Sequence, residues 1–478
     1  MATSGSSSSP SPPMRQRVAP PPPPRRTDML MALPPDILDD RILALLPFDK
    51  LVRTSCLSRA WRRRWESVRN LDIELPPAYS GGGRALWRCA RPVLGFRARV
   101  DRRDVLRAAR WLPALARKGV QDLSLEFSYG ELRRVPGPAL FSCATLVRLE
   151  LRSCTMPVAP RGFRGFPNLE HLRLVYVTLA FARAGTQLEH LIVAAENLAV
   201  LELLLLYTTG VDTWAIRAPK LRKLYITMTM GVDIGCRIPS PLPMLEEATI
   251  SFDRLFGTQD FLDAFQNIST VNKLCFKSDQ KTKKGRIDMR GGRWKFNINM
   301  LEGITCKFEN LREEGLIIDF GQCSSVLSLV SLLKFAPHIE HLYIRTVNSI
   351  WEEDEIDDPP NSEDEIDEDS LNSEDEFDED SMNSEDEIDE DSLNSEISSD
   401  LLASLKYVTL INMKYNSNQM CFMKLLLSKA RSLQTFDVTF VYGDESNRRY
   451  GNACRGLTEC QKASPQVVLI AKVTTHGM

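Results

Sequence analysis

The sequence predicts an α/β chain: an N-terminal three-helix unit, then an irregular solenoid of parallel strands linked by helices or turns, interrupted by a disordered acidic insert. Three observations predict it. Residues 28–70 crowd the apolar spacing and stop signals of three short helices into about forty residues. A six-residue unit, L-x-x-L-x-L, recurs twelve times downstream. Glu352–Ser395 repeats an acidic 11-residue unit with no basic residue.

The three-helix unit comes first because its signals are densest. Leu33-Pro34-Pro35 opens a helix, since proline's fixed φ and missing N–H suit a first turn. Ile37, Leu38, Ile42 and Leu45 follow at helical spacing and leave Asp39, Asp40 and Arg41 on the outer side. Pro47 ends that helix. Asp49 can cap a second helix carrying Leu51, Val52 and Cys56, and Ser58 a third with Trp61 and Trp65 one turn apart. So small a unit buries too little surface to stand alone and calls for a neighbour or a partner.

The order LP-x-D-I-L, then L-x-x-LP, then L-x-R-x-S-x-LS-R-x-W-x-x-x-W resembles the plant F-box, over less than a tenth of the chain. The resemblance implies docking to a Skp-type adaptor and, through it, to a cullin scaffold. It places that contact on Leu33, Pro34, Ile37, Leu38, Leu45, Leu46, Pro47, Leu51 and Val52, some of which must also form the unit's own core.

The repeat is read next. Its units begin at Val120, Leu146, Leu169, Leu188, Leu198, Val211, Leu221, Leu245, Val271, Ile339, Leu405 and Leu433, many about 19–28 residues apart. The fourth and sixth positions point inward along a short strand, and the first feeds the same core from the preceding turn. Each unit leaves a face bare until the next stacks on it, which makes a solenoid. The short spacings Leu188–Leu198, Leu198–Val211 and Val211–Leu221 predict units with only a turn on the outer side. Between Phe276 and Leu311 the pattern weakens into a basic, glycine-interrupted loop. Upstream, Leu71–Glu74 alternates like a first strand, and Val105–Lys118 reads as a helix that Pro113 kinks or splits. This entry is similar to that of plant F-box proteins with leucine-rich repeats, and Leu401–Val438, reading strand–helix–strand, resembles the FBD segment that closes many of them.

The chain therefore divides into a Ser/Pro/Arg-rich disordered tail (1–27), the F-box (28–70), a linker and solenoid cap (71–119), the repeats (120–350), the acidic insert (351–400), an FBD-like terminal repeat (401–440) and a C-terminal tail (441–478) that holds at most a last strand at Val467–Val473. Removing about 45 residues of insert restores an ordinary spacing from Ile339 to Leu405, so the body should close across it. Ser362, Ser373 and Ser384 each precede Glu-Asp-Glu, the context of an acidophilic kinase.

Composition narrows the function. No apolar run approaches the ~20 residues of a membrane span, and the N-terminal tail has no apolar core of a secretory signal. Eleven dispersed cysteines with no C-x-x-C pair read as reduced thiols of a nuclear or cytoplasmic protein, without a metal. The net charge of −3 conceals 25 acidic residues between Glu352 and Glu396; elsewhere 60 basic residues face 38 acidic ones. Phosphate-cradling loops, dinucleotide fingerprints and H-E-x-x-H motifs are all missing, so no cofactor and no catalysis are expected.

What remains is binding. Outward strand positions Arg148, Glu150, Arg152, His171, Arg173, His190, Lys223, Tyr225, His341, Tyr343 and Arg345 line a face suited to a target protein. His171, His190 and His341 share one slot of the unit, which argues for repeated surface and against catalysis. The stripe is net basic, so the tethered acidic insert is a candidate cover for it. By resemblance the chain is the substrate receptor of a Skp–cullin–F-box ubiquitin ligase, whose catalysis is proximity. Nucleic-acid binding through Arg59–Arg64 and Lys281–Lys295 is the other reading, weakened by the absence of any recognisable nucleic-acid module. A plain scaffold is the third.

Overall fold

The computed structural model describes residues 29–30, 32–74, 86, 88–89, 91–100, 105–128, 136–179, 184–208, 213–227, 235–251, 258–277, 306–318, 320, 323–346, 390–441 and 446–474. The N-terminal tail, the loop Lys281–Lys295 and the acidic repeats with Ser362, Ser373 and Ser384 lie outside the described residues.

One sheet organises the chain. Its first strands are β1 (Asn70–Glu74), β2 (Gly95–Val100), β3 (Asp122–Phe127), β4 (Arg148–Thr155), β5 (His171–Leu179) and β6 (Val200–Leu204). A short β7 (Tyr207–Thr208) pairs with β5, and β8 (Thr213–Ala215) lies elsewhere. The sheet continues through β9 (Lys223–Thr227), while β10 (Gly235–Arg237) pairs with β8 in a separate two-stranded ribbon. Then come β11 (Glu247–Ser251), β12 (Lys273–Lys277), β13 (Glu313–Ile318) and β14 (His341–Thr346). β15 (Tyr407–Met413), β16 (Thr435–Val441) and β17 (Val468–Thr474) complete it. Neighbours follow chain order along the main path and every described pair is parallel, as a solenoid with one crossover per unit requires.

Register makes the repeat physical. Leu123, Leu149, Leu172, Leu201 and Leu224 stand directly opposite one another, and each is at most 1% exposed. Ten of the twelve predicted units supply a strand of this sheet, and their first positions are buried in the turn before it. Two do not. Leu188–Val193 belongs to the helix Ala184–Val193, where Leu188, Leu191 and Ile192 at helical spacing are buried. Val211–Ile216 contributes β8 to the side ribbon. The three short units expected there are therefore two ordinary ones, Leu169 to Leu198 and Leu198 to Leu221, each carrying structure on the far side of the sheet.

Two strands of the main path, β2 and β13, escaped the sequence reading. β2 uses Phe96 and Ala98 at its inward positions, and in β13 the fourth position after Leu311 is Glu314. The helix Val105–Lys118 runs through Pro113 without splitting: the proline faces solvent, while Trp111, Leu112 and Leu115 hold the helix in the core.

Ser153, Tyr176, Leu205 and Asn412 adopt left-handed φ of 52–60°, each two residues past an inward sixth position. The turn lets the following Cys154, Val177, Leu206 and Met413 point back into the core. Removing the Cβ at such a site should relieve strain, so Ser153→Gly is expected to gain about 0.5–1 kcal/mol in urea unfolding; a loss of stability would contradict that account.

The body closes where the acidic insert enters, since β14 and β15 pair in register, His341 opposite Tyr407. The insert ends earlier than expected. Glu390–Glu396 is helical, Leu393 and Ile397 are fully buried, and Glu396 pairs with Lys334. The C-terminal 441–478 is likewise no tail: the helix Ser446–Glu459 packs beside the helix Ser417–Lys429, and β17 extends the sheet. The helix had no leucine-rich signature to announce it, only Ala453 and Leu457 at helical spacing.

Candidate functional site

The N-terminal unit is helical but less regular than the sequence suggests. Pro35–Ile37 runs through a wide turn at Leu38–Ile42 into a tight one at Leu43–Leu45; Phe48–Arg53 and Thr54–Cys56 follow. The expected third helix is a series of tight turns ending in a 3₁₀ helix at Arg64–Ser67. These turns send Trp61 and Trp65 inward, and the Trp65 indole meets the Phe48 ring edge-on at 5.9 Å.

A buried acid decides which face looks outward. Asp39, 1% exposed, accepts from Arg64 Nε at 2.6 Å and from Ser67 Oγ at 2.9 Å, with Arg91 Nη1 3.9 Å away. The sequence placed Asp39 outside and Ile37, Ile42 and Leu45 inside; the structure reverses this. The wide turn and the Arg64 pairing rotate Leu38, Asp39 and Leu43 into the core and leave Ile37, Ile42 and Leu45 exposed. Among the nine candidate contacts, Leu38 and Leu51 are core, Leu33, Leu46 and Val52 are half-buried against it, and Pro34, Ile37, Leu45 and Pro47 are exposed.

That exposure is concentrated. Six of the twelve large hydrophobic side chains exposed among the described residues are Met29, Leu30, Ile37, Ile42, Leu45 and Leu57, with Met29 and Leu45 more than four-fifths open. So much apolar surface left in water by so small a unit makes these residues the candidate docking surface.

The second surface is the open face of the sheet. Arg148 stands opposite His171, Glu150 opposite Arg173, and Lys223 and Tyr225 opposite Glu247 and Thr249. His341, Tyr343 and Arg345 share this face on β14, four strands beyond β9 and past β11, β12 and β13. His190 does not: it is exposed on the helix Ala184–Val193, behind the sheet.

The face is not a basic stripe. Its cations alternate with carboxylates, of which only Glu150 stood among the expected positions; Glu202, Glu247 and Glu313 did not. Arg173 lies between Glu150 at 3.6 Å and Glu202 at 3.2 Å, and Arg152 reaches Glu150 at 2.6 Å. His171 meets Glu202 at 3.1 Å, Lys223 meets Glu247 at 3.0 Å, and Lys273 meets Glu313 at 2.8 Å. Burial pushes the Glu150 carboxyl up, but Arg152, Ser124 and Arg173 outweigh it and leave the group below its ordinary value. The Tyr225 hydroxyl donates to Glu247 at 2.7 Å; that bond lowers the carboxyl, while burial and the same bond push the phenol to about 12. Glu247 was legible only by extending the register one strand. Further along, His341 stacks on Tyr407 at 4.4 Å and Tyr343 is exposed.

No disulfide joins the ten cysteines whose side chains are described, and no metal-binding cluster occurs among the described residues. No described helix is long and apolar enough to cross a membrane.

Residues 108–344 match the family model "FBD-associated F-box protein At5g56370, LRR repeats". The chain is 30% identical over 216 residues to the F-box/FBD/LRR-repeat protein At1g13570 of Arabidopsis thaliana, covering 42% of this chain and 49% of that protein. It is 31% identical over 147 residues to a putative F-box/FBD/LRR-repeat protein, At2g05300, of the same plant, covering 29% and 33%. A putative FBD-associated F-box protein, At1g55030, is 25% identical over 244 residues, covering 48% and 55%. The matches thus span between a third and about half of these relatives' length. With one leucine ladder running along the sheet and this family model matched to its repeats, the chain belongs to the plant F-box/leucine-rich-repeat proteins of the FBD type.

Proposed function

We infer that this chain is the substrate-receptor subunit of a Skp–cullin–F-box ubiquitin ligase, acting in the nucleus, the cytoplasm or both. The observation that carries the reading is the apolar surface left open on residues 29–57. A Skp-type adaptor would cover Pro34, Ile37, Leu45 and Pro47, and through it the chain would join a cullin. The open face of the sheet would hold the target protein, and the chain itself would supply position and no chemistry.

The test is capture of a Skp-type adaptor by the full chain. Ile37→Ala with Leu45→Ala should weaken capture by about 100-fold, as loss of two central apolar anchors does. Both side chains are exposed, so the thermal midpoint should stay within about 2 °C of wild type. Undiminished capture by the folded double variant would refute this docking face.

Nucleic-acid binding loses support from the alternation of charge: cations already held by carboxylates on the next strand offer few phosphate contacts. The same pairing removes the electrostatic motive for the acidic insert to cover this face.

A further inference from the structure

The two ends of the sheet are finished differently. At β1 the helix Phe48–Arg53 packs against the strand, and Leu71 is buried. At β17 no strand among the described residues pairs with the outer edge. Phe436, Val438 and Phe440 of β16 are fully buried, yet their register partners Leu469, Ala471 and Val473 are only half-buried, and Val468 is exposed.

The backbone of that edge can be assigned. In a parallel ladder alternate residues turn both N–H and C=O to opposite sides. Val468 N–H donates to Gln434 at 2.9 Å, so Val468, Ile470, Lys472 and Thr474 face β16. Leu469, Ala471 and Val473 therefore turn their backbone groups away from the sheet. The Ala471 carbonyl confirms the direction, since it accepts from the Tyr450 hydroxyl at 3.2 Å and keeps a second lone pair. A bare edge with apolar flanks is a template for another strand.

We propose that β17 pairs antiparallel with β17 of a second copy about Ala471, joining two solenoids end to end. The strand is self-complementary in that register. Ala471 meets its own copy, and Leu469 meets Val473, each facing pair exchanging two backbone hydrogen bonds. On the core side this sets apolar against apolar. On the open face Val468 meets Thr474 and Ile470 meets Lys472, so the cation of one copy lies across from isoleucine and no like charges collide. Such isologous pairing closes as a dimer, in which the F-boxes sit at the two far ends.

The experiment is sedimentation of the full chain over the micromolar range, with Ala471→Pro as the diagnostic variant. Proline removes the outward N–H of Ala471 and fixes its φ, which an edge strand tolerates, so the β16–β17 ladder survives and the thermal midpoint of the monomer should move by only a few degrees. Wild type should show a concentration-dependent monomer–dimer equilibrium, and Ala471→Pro should be monomeric throughout. Ala471→Cys should cross-link two copies under mild oxidation, because the two Cα atoms of a hydrogen-bonded antiparallel pair lie ~5.5 Å apart. A wild-type chain that stays monomeric across the range, or a dimer unaffected by Ala471→Pro, would overturn the proposal. Neither result depends on adaptor capture.

Discussion

Glu314→Leu is expected to stabilise the repeat domain at neutral pH and to flatten its pH dependence. Glu314 takes an inward position of β13 between Leu274 and Leu342, is 2% exposed, and its Oε2 has no hydrogen-bond partner among the described residues. Burial pushes its carboxyl up to about 8, from an ordinary 4.5. Between those two values the folded chain holds a proton that the unfolded chain has released. Stability is therefore undiminished below the ordinary carboxyl range and falls as pH rises toward about 8. The loss at neutral pH is on the order of 3 kcal/mol. Urea unfolding at intervals from pH 5 to 8 should show the wild-type midpoint moving down with pH relative to Glu314→Leu, the gap widening steadily. Two curves that run parallel would mean that Glu314 does not carry the effect.

The opposite outcome is expected at the F-box. Asp39→Ala removes the acceptor for Arg64 and Ser67 and strands a half-buried guanidinium in the unit's core. Breaking a buried pair from one side costs ~3 kcal/mol or more. The F-box is too small to absorb that. Hydrogen exchange should show protection lost over residues 35–67 and retained in β5 to β16. Adaptor capture should fall with it, by local unfolding and not by loss of a contact. The pattern differs from that of Ile37→Ala with Leu45→Ala, in which capture falls and protection stays. Unchanged protection in Asp39→Ala would show that the cluster does not hold the unit together.

These residues mark where the sequence could be read and where it could not. The leucine unit was legible because a parallel solenoid demands the same inward positions at every turn, and ten predicted strands follow from it. It misled at Leu188 and Val211, where six residues of apolar spacing suit a helix or a side ribbon as well as a strand, and His190 moved behind the sheet with them. It was silent at β13, where Glu314 replaced the expected leucine.

Periodicity is a local property, so the sequence by itself determined the solenoid of parallel strands. Which F-box residues face outward depended on a pairing 25 residues long, Asp39 with Arg64. Charge on the open face depended on which carboxylate stands one strand away. The edge of β17 that no described strand covers was set by the stacking of every unit before it. Such facts are set by neighbours distant in the chain, and only the tertiary structure decides them.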